Sequence, residues 1–220
     1  MLLIRDKFRV DLKNSKCEIF LFKPIQICPS LVLPIMTIFR TFVLCSLLLS
    51  FTTAIAYESM HEKTPVGEVK VILLPERVAL EAQTEDSYFS GNNGMFRTLF
   101  RYINQNEVSM TTPVEADIQP GKMRFFVGAK DLSKKVQSTG TVKVRTLPPI
   151  LVAAIGVRGG YSEKRFLDNK LKLHQWLSNN DKYEGIGKAY GVYWHGPFVP
   201  GPFKRSEVHL PIQKAKNESP

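Results

Sequence analysis

Val69-Lys70-Val71-Ile72-Leu73-Leu74-Pro75 recurs 73 residues later as Val142-Lys143-Val144-Arg145-Thr146-Leu147-Pro148, and each copy leads into a second apolar stretch. The same shift sets Tyr88 on Tyr161, Phe100 on Leu173, Ile103 on Trp176 and Asn106 on Asn179. A constant shift across strand, loop and helix signals points to duplication. The unit is too long for a solenoid repeat, so the expectation is two half-domains, 66–138 and 139–213, closing on one core.

Within each half the signals keep one order. The V-K-V run reads as a strand that Pro75 or Pro148 ends, because proline cannot donate to a ladder. Val78-Ala79-Leu80 and Ile150–Val157 read as second strands or as continuations of bent first ones. A helix follows: Phe96, Leu99, Phe100 and Ile103 lie at i, i+3, i+4 and i+7, and Phe166, Leu173, Trp176 and Leu177 form the matching stripe. Asn106 and Asn179 stand where a left-handed cap would end each helix. Strands over 108–117 and 122–129, joined by Gln119-Pro120-Gly121, close the first half, and 186–195 with 203–212 close the second. The fold class is therefore α+β: duplicated β-α-β-β halves forming a mostly antiparallel curved sheet or distorted β-barrel with two helices outside.

The chain carries 30 Lys and Arg against 20 Asp and Glu, net +10. Seven bases and three acids fall in the first 56 residues, and the rest are interspersed. With no helix-turn-helix, zinc-finger or RNA-recognition pattern after residue 57, no nucleic-acid partner is expected. From Met36 the sequence reads MTIFRTFVLCSLLLSFTTAIAYE, with a positive start, an apolar centre and Ala54-Ile55-Ala56. These are the parts of a secretory signal peptide over 36–56, cut after Ala56. Residues 1–35 then read as an overextended gene start and 57–220 as a single domain. The alternative is an uncleaved anchor, since 41–57 is uncharged and nearly long enough to span a bilayer. Cys17, Cys28 and Cys45 all precede the cut, leaving a mature chain without thiol chemistry.

Val108-Ser109-Met110-Thr111-Thr112-Pro113-Val114 resembles the (I/V)-x-M-T-x-P-V strand of the SOUL haem-binding family. Gly201-Pro202-Phe203-Lys204-Arg205-Ser206-Glu207-Val208 resembles its carboxy-terminal segment, a basic pair followed by N/S-E-V. The resemblance spans about residues 62–213. It implies a fold similar to bacterial multidrug-effector-binding domains, and non-covalent binding of haem or another tetrapyrrole. Fold transfers more safely than ligand, because sites are grafted onto folds.

Arg97 and Arg101, one turn apart, could clamp two propionates, or they could form a solvated helix face. The loop from His195 to Phe203 carries two phenylalanines and a valine stiffened by three prolines. It packs either on the sheet or on a porphyrin face. The resemblance attributes haem contacts to the first helix and to this loop. It places Arg101 opposite Lys204 and Arg205, and the expected cofactor contacts are Phe96, Arg97, Phe100, Arg101, Phe198, Phe203, Lys204 and Arg205. His195, at the mouth of the loop, is the expected axial ligand, with His61 in a frayed start, His174 beside the helix seam and His209 facing solvent from its strand. Gly91-Asn92-Asn93-Gly94 reads as a turn before the helix, or as an anion-holding loop.

No G-x-S-x-G, H-E-x-x-H, nucleotide-cradling glycine loop or Cys–His pair is present, so no enzyme is expected. The reading is an exported haem-binding protein, periplasmic or secreted, that captures, buffers or transfers its ligand and is not inserted in a membrane after cleavage. The rival is a binder of other apolar amphiphiles. We expect the exported chain to begin at Tyr57 and carry no thiol. Intact-mass measurement checks this, and a mature species retaining Cys45 would favour the anchor.

Overall fold

A computed structural model describes residues 58–90, 94–196 and 198–215. The expected gene start, signal peptide and cysteines, with Gly91–Asn93 and Pro197, lie outside the described residues. In chain order the strands are β1 (Glu58–Ser59), β2 (Val69–Leu74), β3 (Arg77–Gln83), β4 (Thr111–Thr112), β5 (Val114–Asp117) and β6 (Lys122–Phe126). They continue as β7 (Lys143–Leu147), β8 (Ile150–Arg158), β9 (Tyr183–Gly185), β10 (Tyr190–Tyr193) and β11 (Arg205–Lys214). Two helices, α1 (Met95–Gln105) and α2 (Glu163–Ser178), follow β3 and β8.

The main sheet runs β2-β8-β11-β10-β5-β6-β3-β7, with β9 attached to β11. Its neighbours are antiparallel throughout, and it curls into a half-barrel. The order reads the same from either end once β2, β3, β5 and β6 are exchanged for β7, β8, β10 and β11. Register obeys the exchange too: Leu80 pairs with Val144, and Ala153, shifted by 73, pairs with Val71. At the centre Ala116 pairs with Gly191, so the pseudo-two-fold axis passes through that pair. Each half lends its first strand to the far edge of the other.

The largest break in the duplication lies in the last hairpin of the second half. β5 and β6 are joined by residues 118–121, whereas 194–204 join β10 and β11. The added chain is the proline-rich aromatic loop.

One face of the sheet carries the helices. Leu80, Met123, Phe125 and Val114 meet Met95, Leu99, Tyr102 and Ile103 of α1. Ile155, Val157, Val208 and Leu210 meet Phe166 and Leu173 of α2. The α1 stripe thus lies at 95, 99, 102 and 103, rotated from the expected one, and Phe96 and Phe100 stand beside it. The expected asparagine caps also differ. Asn106 has φ −104° and Asn179 φ −98°, while the left-handed residue is Glu107 at φ 53°. Val108 N–H donates to Ile103 O at 2.9 Å, so the cap closes one residue later than the asparagine suggested.

A strap, residues 60–66, crosses the other face. Met60 N–H donates to Thr112 O at 2.9 Å, β1 pairs in parallel with β4, and Val66 bridges to Gly156. A Cβ on Gly156 would lie 2.3 Å from the carbonyl oxygens of both Thr64 and Pro65, so only glycine lets the strap lie flat. Gly156→Ala should destabilise the fold by about 1–3 kcal/mol in urea unfolding. Gly140→Ala, where a Cβ meets open space, should change it little.

Candidate functional site

Of the described phenylalanines, the four that stand exposed are Phe96, Phe100, Phe198 and Phe203, at 38%, 44%, 97% and 67%. Apolar rings left in water on two separate elements need a reason beyond the core. On α1, Phe96 and Phe100 are one turn apart and stack at 5.9 Å with planes 11° apart. Phe96 also sets its edge on buried Phe125 at 5.3 Å. Arg97 and Arg101 are exposed beside them, and neither makes an ion pair among the described residues. This helix face offers a flat apolar surface bordered by two uncommitted cations.

The loop offers a second such surface. A 3₁₀ turn, Gly201–Phe203, holds Phe203 outward. The loop is pinned to the start of α2: Gly159 N–H donates to Lys204 O at 3.0 Å, and the Tyr161 hydroxyl lies 3.0 Å from both His195 O and Arg205 O. Lys204 Nζ sits 5.0 Å above the Tyr161 ring. Arg205 is spent differently, donating through its guanidinium to Thr64 O at 2.8 Å and so holding the strap. His195 Nδ1 accepts the Arg205 amide at 3.0 Å. Burial, with Lys63, Arg205 and Lys204, lowers its pKa and favours the neutral ring. With Nδ1 accepting, the proton is on Nε2, so coordination of iron by Nε2 would move that proton to Nδ1 and break the bond from the Arg205 amide, which can only donate. α1 packs on β3 and β6 and the loop is pinned to Gly159–Tyr161, so the two phenyl surfaces are held by different elements.

The face under the strap holds groups that sequence reading passed over. Glu81 pairs in register with Arg124, Arg124 with Glu115, Glu115 with Val192, Val192 with Glu207, and Glu207 with Gly156. Direct partners point to the same side of a pleated sheet, so this is one transverse row. Arg124 bonds Glu81 at 3.1 Å and Asp117 at 2.9 Å, while Arg77 bonds Glu115 and lies over the Phe126 ring at 4.6 Å. Burial alone would lower the Arg124 pKa, but Asp117, Glu115 and Glu81 together raise it above its ordinary value. A cleft of about 860 Å³ borders the row, lined by Arg77, Glu115, Arg124 and Tyr190 from the sheet and by Phe166 and Leu167 from α2.

At the strap end of the row, Glu207 accepts from Thr64 N–H at 2.9 Å, Thr64 Oγ1 at 3.0 Å, Trp194 Nε1 at 2.8 Å and His209 Nε2 at 2.8 Å. Burial pushes its pKa up, but the His209 contact, the Thr64 amide and nearby His61 bring it down to about 2. His209 does not face solvent; it is fully buried, with Nδ1 3.3 Å from the Tyr190 hydroxyl. His61 is not frayed either. Its ring meets Trp194 at 5.0 Å and His209 at 5.5 Å between centroids. The available sequence signal was alternation of charge on β3, β5, β6 and β11, which marks a second face without saying that another element covers it.

Two helices over a curled antiparallel half-barrel are the architecture of effector-binding domains. The EcmrR C-terminal domain matches with a TM-score of 0.51 at 15% identity, over 67% of this chain and 98% of that one. EcmrR in its DNA complex gives 0.54 at 15% identity, over 67% of this chain and 58% of that one. A hydrolase encoded by lin2189 from Listeria innocua gives 0.50 at 12% identity, over 72% of this chain and all of that one. At these identities the likeness concerns fold alone. No curated protein matches the chain by sequence. The chain belongs to the SOUL heme-binding protein family, whose model matches residues 53–211.

The M-T-x-P-V segment carries a structural task. Thr111 Oγ1, buried, donates to Phe126 O at 2.7 Å, and Thr111–Thr112 pairs with β1. Arg77 and Glu115 allow a test of the row. Arg77→Met alone should cost about 3 kcal/mol, because it leaves the buried Glu115 carboxylate with Arg124, 4.0 Å away, as its remaining cation, and Arg77→Met with Glu115→Leu should recover much of it. Denaturant unfolding of both single variants and the pair measures the coupling.

Proposed function

We propose that the chain binds haem or another tetrapyrrole non-covalently and, as an exported periplasmic or secreted protein, captures, buffers or passes on that ligand. The observation that carries this reading is the stacked, exposed Phe96–Phe100 pair beside Arg97 and Arg101 on one helix. Membership of a family described as haem-binding supports it. A porphyrin has an apolar face to cover the rings and two propionates for the guanidiniums. Phe198, Phe203, Lys204 and Arg205 form the other half of the proposed contact, with Arg205 acting through the backbone it holds. His195 is the proposed axial ligand, at the cost of its hydrogen bond from the Arg205 amide. No helix among the described residues is long and apolar enough to cross a membrane.

A second reading has an observation of its own. The cleft of about 860 Å³ pairs aliphatic lining with buried charge, which suits a smaller amphiphile. Haemin titration with the Soret band as readout separates the two. Arg101→Glu and Lys204→Glu should each weaken haemin binding by roughly tenfold or more. Phe198→Ala should weaken it through lost apolar contact. His195→Ala should move the Soret maximum if that ring ligates iron and change affinity alone if it does not. Unchanged affinity in all four variants would exclude this face and leave the cleft.

A further inference from the structure

The strap brings His61 to Glu207 and His209 of β11, so the three side chains come from opposite ends of the described chain. One ligand-type atom from each, a nitrogen of His61 and of His209 and a carboxylate oxygen of Glu207, lies within 4.8 Å of the others. The hydrogen bonds fix the state of each group. His61 Nδ1 lies 2.9 Å from Glu62 O, a carbonyl that can only accept, so Nδ1 carries the proton and Nε2 presents a lone pair. That Nε2 is buried and has no hydrogen-bond partner among the described residues. A buried imidazole nitrogen with an unused lone pair is uncommon and calls for an explanation. His209 Nε2 donates to Glu207 Oε2 in the present arrangement, and its Nδ1 faces the Tyr190 hydroxyl.

We propose that His61, Glu207 and His209 form a site for a divalent metal ion of the zinc type. Two imidazole nitrogens and one carboxylate oxygen are a donor set such ions accept, with a further position left for water or an incoming group. A tetrahedral ion holds its ligand atoms about 3.4 Å apart, so loading draws the cluster inward from its present spacing. The ion takes the place of the proton on His209 Nε2, which transfers through solvent to Nδ1, and Nδ1 then donates to Tyr190 Oη. The other ligands are already oriented: Glu62 O holds the His61 ring, and Trp194 Nε1 and Thr64 N–H hold Glu207 Oε1, leaving Oε2 toward the histidines. Ligands steered from behind in this way are the usual companions of a metal centre. His61 is half-buried, so it forms the solvent side of the site.

The site shares no residue with the haem surface, and Zn²⁺ and haemin binding are read separately. The test uses the full chain with Cys17, Cys28 and Cys45 alkylated, titrated with Zn²⁺ by calorimetry and with Co²⁺ by its visible spectrum. We expect one equivalent of Zn²⁺, not displaced by excess Mg²⁺, a nitrogen–oxygen Co²⁺ spectrum, and a Tm that rises with added Zn²⁺. His61→Ala should weaken Zn²⁺ binding at least about tenfold and abolish the rise in Tm. Glu207→Gln should do the same if it folds, and His61→Ala decides alone if it does not. Absence of Zn²⁺ binding to the unsubstituted chain, or binding unchanged in His61→Ala, would overturn the proposal.

Discussion

A carboxylate taken out of water must be given hydrogen-bond donors, and Glu207 collects four of them from three segments. Two come from the strap, one from Trp194 just after β10 and one from its own strand. Without the strap, the carboxylate would lose the amide and hydroxyl of Thr64, and burial would raise its pKa toward the neutral form. Without Glu207, the Thr64 amide and the Trp194 indole would be buried donors with no acceptor. Arg205 fastens the same stretch from the other side through Thr64 O. The position of the strap, the depth of His61 and the cover over one face of the sheet all follow from this requirement.

The sheet is symmetric and the chemistry is not. Register repeats across the pseudo-two-fold axis, and both helices occupy equivalent places. The added loop after β10, the strap and the buried histidines occur once. The duplicated frame supplies rigidity and curvature. Single additions supply candidate recognition surfaces, as expected when sites are laid onto a fold and not built into it.

Much of the frame was legible because its signals are local. A strand stopped by Pro75 or Pro148 and a 73-residue echo need no knowledge of the third dimension. The exposed loop aromatics, Phe198 and Phe203, were legible for a similar reason, since phenylalanine among prolines is odd wherever it falls. The reading failed where a local rule assumed its surroundings. His209 does alternate with Val208 and Leu210, but the far face of the strand is covered, so alternation led inward and not to solvent. His61 was assigned to a loose end because its partners lie far along the chain; Thr64 and Glu207 are 143 residues apart. Neither periodicity nor composition carries a pairing of that span. The α1 stripe was displaced by one step because Phe96 and Phe100 share a helix face with each other and not with the core.

The exchange of first strands between the halves bears on what happens when the backbone is broken. Residues 133–141 join the halves and contain no strand or helix. A protease cutting there would leave an amino-terminal piece whose β2 has no neighbour of its own and a carboxy-terminal piece whose β7 is equally unpaired, since each strand's ladder partner lies on the other fragment. The fragments would stay clasped like two hands with one finger exchanged, and the nicked molecule would behave as a heterodimer of unequal halves.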